Sequence, residues 1–433
     1  MERVKVIGAG LAGCETAYYL ASRGVKVDLY DIKPKKFTPA HTNANFGELV
    51  CSNSLKGKDV YTNACGLLKG EMEILGSLMM QAANATSVPA GGALAVDRDD
   101  FSKYITQKIT SHENINVICQ EIKEIPSGWC VIATGPLTCD ALSDEIQALT
   151  GGGLHFYDAS APIVAKDSID QTCCFYGDRY GKGGDDYINC PLTKDEYALF
   201  IKELASAERA LLHDFEKREI FEGCMPLEIM ASRGEDTLRY GPFKPVGLTD
   251  QNGNKFYAVL QLRKENDGGT AYNLVGCQTN LKFGEQKRVF SLIPALKNAE
   301  FLRYGVMHRN TFINAPDNLN ADFSHKKNPQ LFFAGQITGV EGYVESAASG
   351  LLCAVHIINK MQGKEVIIPE KYTVMGALSR HVSTPNANFQ PMNANFGILN
   401  QDGVRIRDKK ERYRHLAERA LDGVRKFKEL ICQ

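Results

Sequence analysis

The sequence predicts an α/β protein in which a Rossmann-like dinucleotide-binding domain is interrupted by an inserted α+β domain. Three observations carry that expectation. A strand, a glycine-rich turn, a helix and a second strand follow one another within the first 31 residues. Two later apolar strands have to return to the same sheet, and the chain between about 185 and 300 changes character.

The N-terminal unit is the most specific of these. Val4–Ile7 is a short apolar run that enters GAGLAG at 8–13, and a helical pattern continues to Arg23. Gly24 suits the end of that helix, and Val25–Tyr30 alternates as a strand ending on Asp31. In such a unit Gly8 permits the tight turn, Gly10 lets a pyrophosphate approach the backbone, and Gly13 lets the helix pack close to the strand. Ala9, Leu11 and Ala12 complete the turn, and the helix start offers backbone N–H groups and the positive dipole end to phosphates. Asp31 falls 23 positions after Gly8, where an acid accepts hydrogen bonds from a ribose.

Two distant segments choose between dinucleotides. Trp129–Pro136 is a strand running into Ala133-Thr134-Gly135, and Leu331–Gly335 is a strand followed by QITGVEGYVESAASG, which brings Gln336 and Gly339 to the start of a long helix. This arrangement resembles a glutathione-reductase-type FAD-binding domain, in which that helix start stabilises negative charge on the reduced flavin. A nicotinamide Rossmann domain needs no such returning segment. There is no second G-x-G-x-x-G, so NAD(P)H that reduces the flavin docks without its own fingerprint.

The expected layout is therefore a first part of the FAD-binding domain at 1–184, an α+β insertion at 185–300, and a second part at 301–433 with a basic C-terminal helix. Within the insertion, Thr193 and Glu196 have capping-box spacing, and Tyr257–Leu262 and Tyr272–Gly276 read as strands around Asp267-Gly268-Gly269. NANFG occurs at 43–47 and again at 393–397; without a period it reads as two turns, not a repeat.

Composition excludes several classes. The 44% hydrophobic and 23% charged content is ordinary for a soluble globular chain, and 433 residues leave room for two or three domains. No apolar run approaches the roughly 20 residues of a membrane span, and the first residues form a strand instead of a cleavable leader, so a cytoplasmic location is expected. Thirteen cysteines without a C-x-x-C pair, and histidines without H-x-x-x-H spacing, predict neither disulfides nor a metal. Net charge is −1, but Arg405–Lys428 carries ten Lys/Arg against Asp408, Glu411, Glu418 and Asp422, a local excess of +6. Such a segment is either a solvated helix face or a grip on phosphate backbone.

Two cysteines have distinctive neighbours. Cys51 in GELVCSNSLKG precedes Ser52-Asn53-Ser54, which are N-cap types, so it is expected at a helix N-terminus where a thiol loses its proton more readily. Cys224 in FEGCMPLE lies at an expected bend between Gly223 and Pro226. The residues alone leave each open between a structural and a reactive thiol. Tyr343 opens the long helix and either stacks on a ring or packs as core. His308 and Arg309 are expected in a polar loop before a strand, as ligand contacts or as plain loop residues.

Long motifs then converge on one family. ELVCSNSL at 48–55, VPAGGALAVDR at 88–98, ATGPLT at 133–138, FEGCMPLE at 221–228, VGCQTNLKFGEQKRVF at 275–290, RYGVMHRNTF at 303–312 and AGQITGVEGYVESAASG at 334–350 run nearly end to end. With GAGLAG, the chain resembles the folate- and FAD-dependent tRNA (uracil-5-)-methyltransferases. The resemblance implies a one-carbon unit taken from methylenetetrahydrofolate, electrons from NAD(P)H, and methylation of C5 of a T-loop uridine. It carries the family's functional cysteines onto Cys51 and Cys224, with Cys224 adding to uracil C6 and Cys51 as its acid/base partner. It also makes Tyr343 a catalytic candidate, His308 and Arg309 folate candidates, and Lys282, Lys287, Arg288, Lys409, Lys410 and Arg412 RNA contacts. The alternatives are a paralogue that methylates ribosomal RNA, and a flavin-dependent NAD(P)H oxidoreductase, which needs neither cysteine.

Overall fold

The computed structural model describes residues 2–432 apart from 39, 182–183, 211–224, 388, 402 and 405; the side chains of 153–158, 308 and 309 also lie outside the description. Its first sheet has six strands in the order Ser324–His325, Asn328–Phe333, Cys130–Ile132, Val4–Ile7, Val27–Asp31 and Ile115–Cys119. Five of them are parallel; only the 324–325 edge strand runs the other way. Val4, Val6, Val131, Ile132, Phe332 and Phe333 are buried, as strands covered on both faces require. Gly8 N–H bonds Tyr30 O, Ala133 N–H bonds Ile7 O, and Ala334 N–H bonds Ile132 O, so the three sequence-predicted strand ends meet at one edge of this sheet. That carboxyl edge is where open α/β sheets bind ligands.

Helices Leu11–Ala21 and Tyr343–Met361 cover the sheet and cross each other closely. Their contact depends on Gly350, where an added Cβ would sit 2.2 Å from Ala12 O, and on the Thr16 hydroxyl, which donates to Gly350 O at 2.9 Å. The C-terminal helix Lys409–Ile431 lays Leu416, Ala417, Ala420, Val424 and Phe427 into the same core, beside helix Ala64–Leu75. No described helix is long and apolar enough to cross a membrane.

The second unit is built on an antiparallel sheet ordered Phe175–Tyr176, Tyr187–Leu192, Ala258–Lys264, Ala271–Leu274, Ile163–Ala165 and Phe301–Arg303, over its own apolar core. Thr193 and Glu196 form the capping box that the spacing predicts. Its limits differ from 185–300. Ile163–Ala165 was expected in the first part of the FAD-binding domain, yet it pairs with Ala271–Asn273. The seam is set by an antiparallel ribbon of Gly153–Ala159 and Met307–Ile313, through which the chain leaves and re-enters the first domain. That ribbon also moves His308 and Arg309 from the expected loop into a strand, opposite Asp158 and Tyr157.

Candidate functional site

The glycine turn divides its residues by what crowds them. A Cβ on Gly8, whose φ is +101°, would lie 2.6 Å from Ala133 O, and one on Gly13 would lie 1.8 Å from Gly8 O. Around Gly10 nothing comes within 4 Å. Packing of the protein itself therefore explains the first and third glycines, while the second faces open space. Helix Leu11–Ala21 starts at Gly10 with no side-chain cap, which leaves first-turn N–H groups for an anion. Asp31 turns back to the loop: one carboxylate oxygen accepts from Ala9 N–H at 2.7 Å and the other from Lys33 N–H at 2.9 Å. Carboxylate oxygens accept more than one hydrogen bond, so the same group can both hold the turn and take a ribose hydroxyl.

From this turn a cavity of about 440 Å³ runs past Asp31, Thr134 and Gly135 to Gly335, Gln336 and Tyr343. An elongated cleft that begins on a glycine turn and ends on a second helix start fits a dinucleotide with a ring at its far end. Gly339 is not on its wall; at φ +81° it makes room for the Phe389 ring, 2.5 Å from where a Cβ would be. Gln336 donates through its amide to both oxygens of Glu341 at 2.9 Å, which fixes its head group at the cavity.

At the far end Cys51 meets Tyr343. The Tyr343 hydroxyl oxygen accepts from Cys51 N–H at 2.8 Å and lies 2.9 Å from the thiol sulfur. Burial of this hydroxyl, reinforced by the thiol beside it, holds the phenol well above its usual pKa, so it stays protonated. The helix N-terminus expected after Cys51 is absent. Ser54–Gly57 is a strand paired with Ala93–Val96. Ser52 and Asn53 are not caps because they are used across the domain boundary. The Arg263 guanidinium donates to Ser52 Oγ at 2.7 Å and Asn53 Oδ1 at 3.0 Å, and the Asn53 amide donates to Val96 O and Lys264 O. Arg98 lies on the other side, donating to Leu49 O and Val50 O at 2.9 and 3.4 Å and pairing with Glu265 at 2.7 Å. Cys224 lies outside the described residues.

A second ion pair braces the start of the Tyr343 helix. The Lys56 ammonium donates to Glu345 at 3.0 Å and to Asn393 Oδ1 at 3.0 Å, while Ala394 N–H donates to the same Glu345 oxygen at 2.9 Å. The later NANFG turn is thus part of this support. The earlier one is held in a parallel fashion: Glu48 accepts from Thr42 and Asn43 N–H, Lys33 donates to Asn45 O, and Gly47 N–H bonds Ala9 O. Arg98, Arg263, Glu265 and Glu345 were not candidates from sequence. Arg98 and Glu345 lie inside family motifs, but nothing in their spacing announces ion-pair partners 167 and 289 residues away.

The basic residues separate into two groups. Lys282 pairs with Glu208 at 2.6 Å, and Arg288 pairs with Glu203 at 2.5 Å and Glu285 at 2.8 Å, so the second domain's basic helix Phe283–Phe290 is largely neutralised; Lys287 is exposed. Lys409, Lys410 and Arg412 occupy the first turn of the C-terminal helix. Lys409 and Arg412 lie 5.4 and 5.8 Å from the Tyr413 ring, which stacks on Phe396 at 4.1 Å. Cations at a helix N-terminus oppose its dipole, so they do not serve the helix itself.

Known proteins share both the sequence and the fold that build this geometry. A family model described as "Glucose inhibited division protein A" matches residues 3–365. A methylenetetrahydrofolate–tRNA-(uracil-5-)-methyltransferase TrmFO of Acetivibrio thermocellus is 55% identical over 431 residues, covering 99% of both chains. The enzyme of the same name from Staphylococcus aureus is 53% identical over 434 residues, 99% of this chain and 100% of that one. Among solved structures, Aquifex aeolicus GidA superposes with a TM-score of 0.73 over 99% of this chain and 73% of its own, at 17% identity, which speaks to the fold alone.

Proposed function

The chain belongs to the family of its methylenetetrahydrofolate–tRNA-(uracil-5-)-methyltransferase relatives, and from that premise we propose that it methylates C5 of a uridine in the tRNA T-loop. Methylenetetrahydrofolate gives the carbon, and FAD reduced by NAD(P)H occupies the cleft that starts at Gly10. The place of action is the cytoplasm, where tRNA is the partner. What carries this reading is a cavity that begins on a dinucleotide turn with space at Gly10 and reaches Tyr343, whose hydroxyl lies 2.9 Å from the Cys51 sulfur. An oxidoreductase that passes hydride from NAD(P)H through the flavin directly to a small molecule does not require the thiol.

Bound there, FAD supplies the electrons that take the transferred carbon from methylene to methyl. The chain's own residues do the rest. The uncapped helix start and Ala9–Gly10 bind the pyrophosphate, and Asp31 takes the ribose. Uracil C5 is a poor nucleophile until a thiolate adds at C6, so Cys224 forms a C6–S bond and C5 then bonds the one-carbon unit. Cys51 removes the C5 proton as the bond between the carbon and its donor nitrogen breaks. When hydride reaches that carbon the C6–S bond breaks, which releases the Cys224 thiolate and restores the ring with a methyl group at C5. Tyr343, neutral at working pH, holds Cys51 through both its N–H and its sulfur. The T-loop base has to leave its stack to reach this pocket, at a cost on the order of a few kcal/mol, and phosphate contacts offset that cost.

The test is transfer of carbon-labelled methyl from methylenetetrahydrofolate to a tRNA transcript, with nucleoside digestion to locate it. Label in 5-methyluridine of tRNA is expected. Label confined to a ribosomal RNA transcript would move the substrate, and no label in either RNA would overturn the reading.

A further inference from the structure

Cys51 sits on a segment that two arginines hold from opposite sides, and each arginine ties it to the second domain. Arg98 comes from the start of helix Arg98–Thr110 in the first domain. One arm of its guanidinium bonds the carbonyls of Leu49 and Val50, just before the cysteine. Its Nε and other arm both bond one oxygen of Glu265, at 3.1 and 2.7 Å, directly beyond strand Ala258–Lys264 of the second sheet. Arg263 comes from that same strand and reaches the other way, to Ser52 Oγ and Asn53 Oδ1, just after the cysteine. The Asn53 amide closes the loop by bonding Val96 O in one domain and Lys264 O in the other. Beside it, Asp97 accepts from Asp267 N–H at 2.9 Å.

These groups are withdrawn from water. Asn53 is fully buried, Arg263 is 6% exposed, and the Arg98 and Glu265 side chains are 14% and 6% exposed. A planar guanidinium with fixed N–H directions resists rotation where a lysine swivels, and in a dry site its bonds are not traded for water. The Cys51 backbone between the two anchors therefore has little freedom, and its N–H and sulfur are both referred to the Tyr343 hydroxyl.

We propose that Arg98 and Arg263 are positioning residues that set the place of the Cys51 thiol and make it depend on how the second domain is seated. Neither arginine touches the reacting atoms in this scheme. Strand Ala258–Lys264 runs through the centre of the second sheet, so any tilt of that domain moves Arg263 and Glu265 together. The thiol then shifts against Tyr343. The relevance to methyl transfer rests on Cys51 as a reacting group, but the physical claim about its loop does not.

The experiment uses the full-length, flavin-loaded protein. Arg263→Gln removes the fork while leaving an amide, and Arg263→Lys keeps the charge without the fork. Cys51 is followed by its rate of alkylation with iodoacetamide, read by peptide mass spectrometry, with exposed Cys432 as the internal reference. Loosening the loop separates the thiol from Tyr343, so Cys51 alkylates severalfold faster in Arg263→Gln while Cys432 is unchanged. Arg263→Lys falls between this variant and the parent. In turnover, kcat falls by about tenfold to a hundredfold with little change in KM for tRNA, as expected for a misplaced reacting group. An unchanged or slower Cys51 rate in both variants overturns the proposal. A large rise in KM with an unchanged Cys51 rate also overturns it, because Arg263 then acts on RNA. Where Arg263→Gln does not fold, Arg263→Lys carries the same readout. A parent enzyme that transfers no methyl would defeat the functional reading, yet leave the alkylation comparison intact.

Discussion

The Tyr343 hydroxyl lies 2.9 Å from the Cys51 sulfur while it accepts the Cys51 backbone N–H at 2.8 Å, so one oxygen fixes both the main chain and the thiol of a residue 292 positions away. Tyr343 begins the helix that ends the cofactor cleft, and Cys51 belongs to a loop clamped between domains. The pair therefore joins the cofactor side of the site to the substrate side. Removing the phenol should cost rate without cost to cofactor.

Tyr343→Phe is expected to keep its flavin spectrum and melting temperature close to those of the parent, and to lose about tenfold in kcat. The pH profile discriminates its role. Burial and the neighbouring thiol raise the Tyr343 pKa well above 10, so the neutral phenol persists as pH rises to that value and adds no basic limb of its own. Any basic limb seen below pH 10 in the parent must then survive in Tyr343→Phe. A limb that disappears with the phenol would mean that Tyr343 itself titrates in turnover.

The three glycines of the turn should fail in different ways. Gly10→Val adds a Cβ with no protein atom within 4 Å, so the variant should fold and be colourless because the pyrophosphate is displaced. Gly13→Ala puts a methyl 1.8 Å from Gly8 O, against backbone that cannot move aside, so this variant should lose thermal stability first and flavin as a consequence. Visible absorbance and a thermal melt separate the two. A Gly10→Val protein that retains full flavin would remove the pyrophosphate from this turn.

The contrast between basic helices yields a measurement on RNA. Lys282 and Arg288 are neutralised by Glu208, Glu203 and Glu285, whereas Lys409, Lys410 and Arg412 have no carboxylate bonded to them among the described ion pairs, and Lys409 and Arg412 lie beside the Tyr413 ring. Replacing the last three by Ala should weaken tRNA binding and reduce the salt slope by about one unit for each phosphate that is no longer neutralised. Replacing Lys282 and Arg288 should change that slope much less. An unaltered slope in the Lys409, Lys410 and Arg412 variant would leave the C-terminal helix as a solvated face.

What sequence could and could not reveal follows from distance along the chain. The glycine turn was legible because strand, turn, helix and acid are consecutive, and the returning strands were legible because each runs straight into a glycine-bearing junction. The Cys51 loop was not. Ser52 and Asn53 are good N-cap types in isolation, but their side chains are claimed by Arg263, some 210 residues on, and the backbone extends into a strand. The seam between domains was misplaced for a similar reason. Ile163–Ala165 finds its partners only at Ala271–Asn273 and Phe301–Arg303, and the glycines at the ends of the ribbon of 153–159 with 307–313, Gly151–Gly153 and Gly305, read in sequence as ordinary loop glycines.

Covalent trapping tests the division of labour between the two cysteines. Fluorine at uracil C5 cannot leave as a proton does, so a thiolate that has added at C6 stays attached once the carbon unit has been accepted. With 5-fluorouridine at the target position, the parent enzyme should form an adduct with tRNA that survives a denaturing gel. Cys224→Ala should abolish the adduct and methylation while its flavin content stays that of the parent. Cys51→Ala should lose methylation but still form the adduct, because its proposed part is to move the C5 proton after the C6–S bond exists. Loss of Cys51 leaves the Tyr343 hydroxyl without its thiol, a local change at one end of the cleft, so flavin content should again be retained. Peptide mapping of the adduct decides the assignment: a crosslink at Cys51 reverses the two roles, and the absence of any adduct with the parent enzyme removes thiol addition from the reaction.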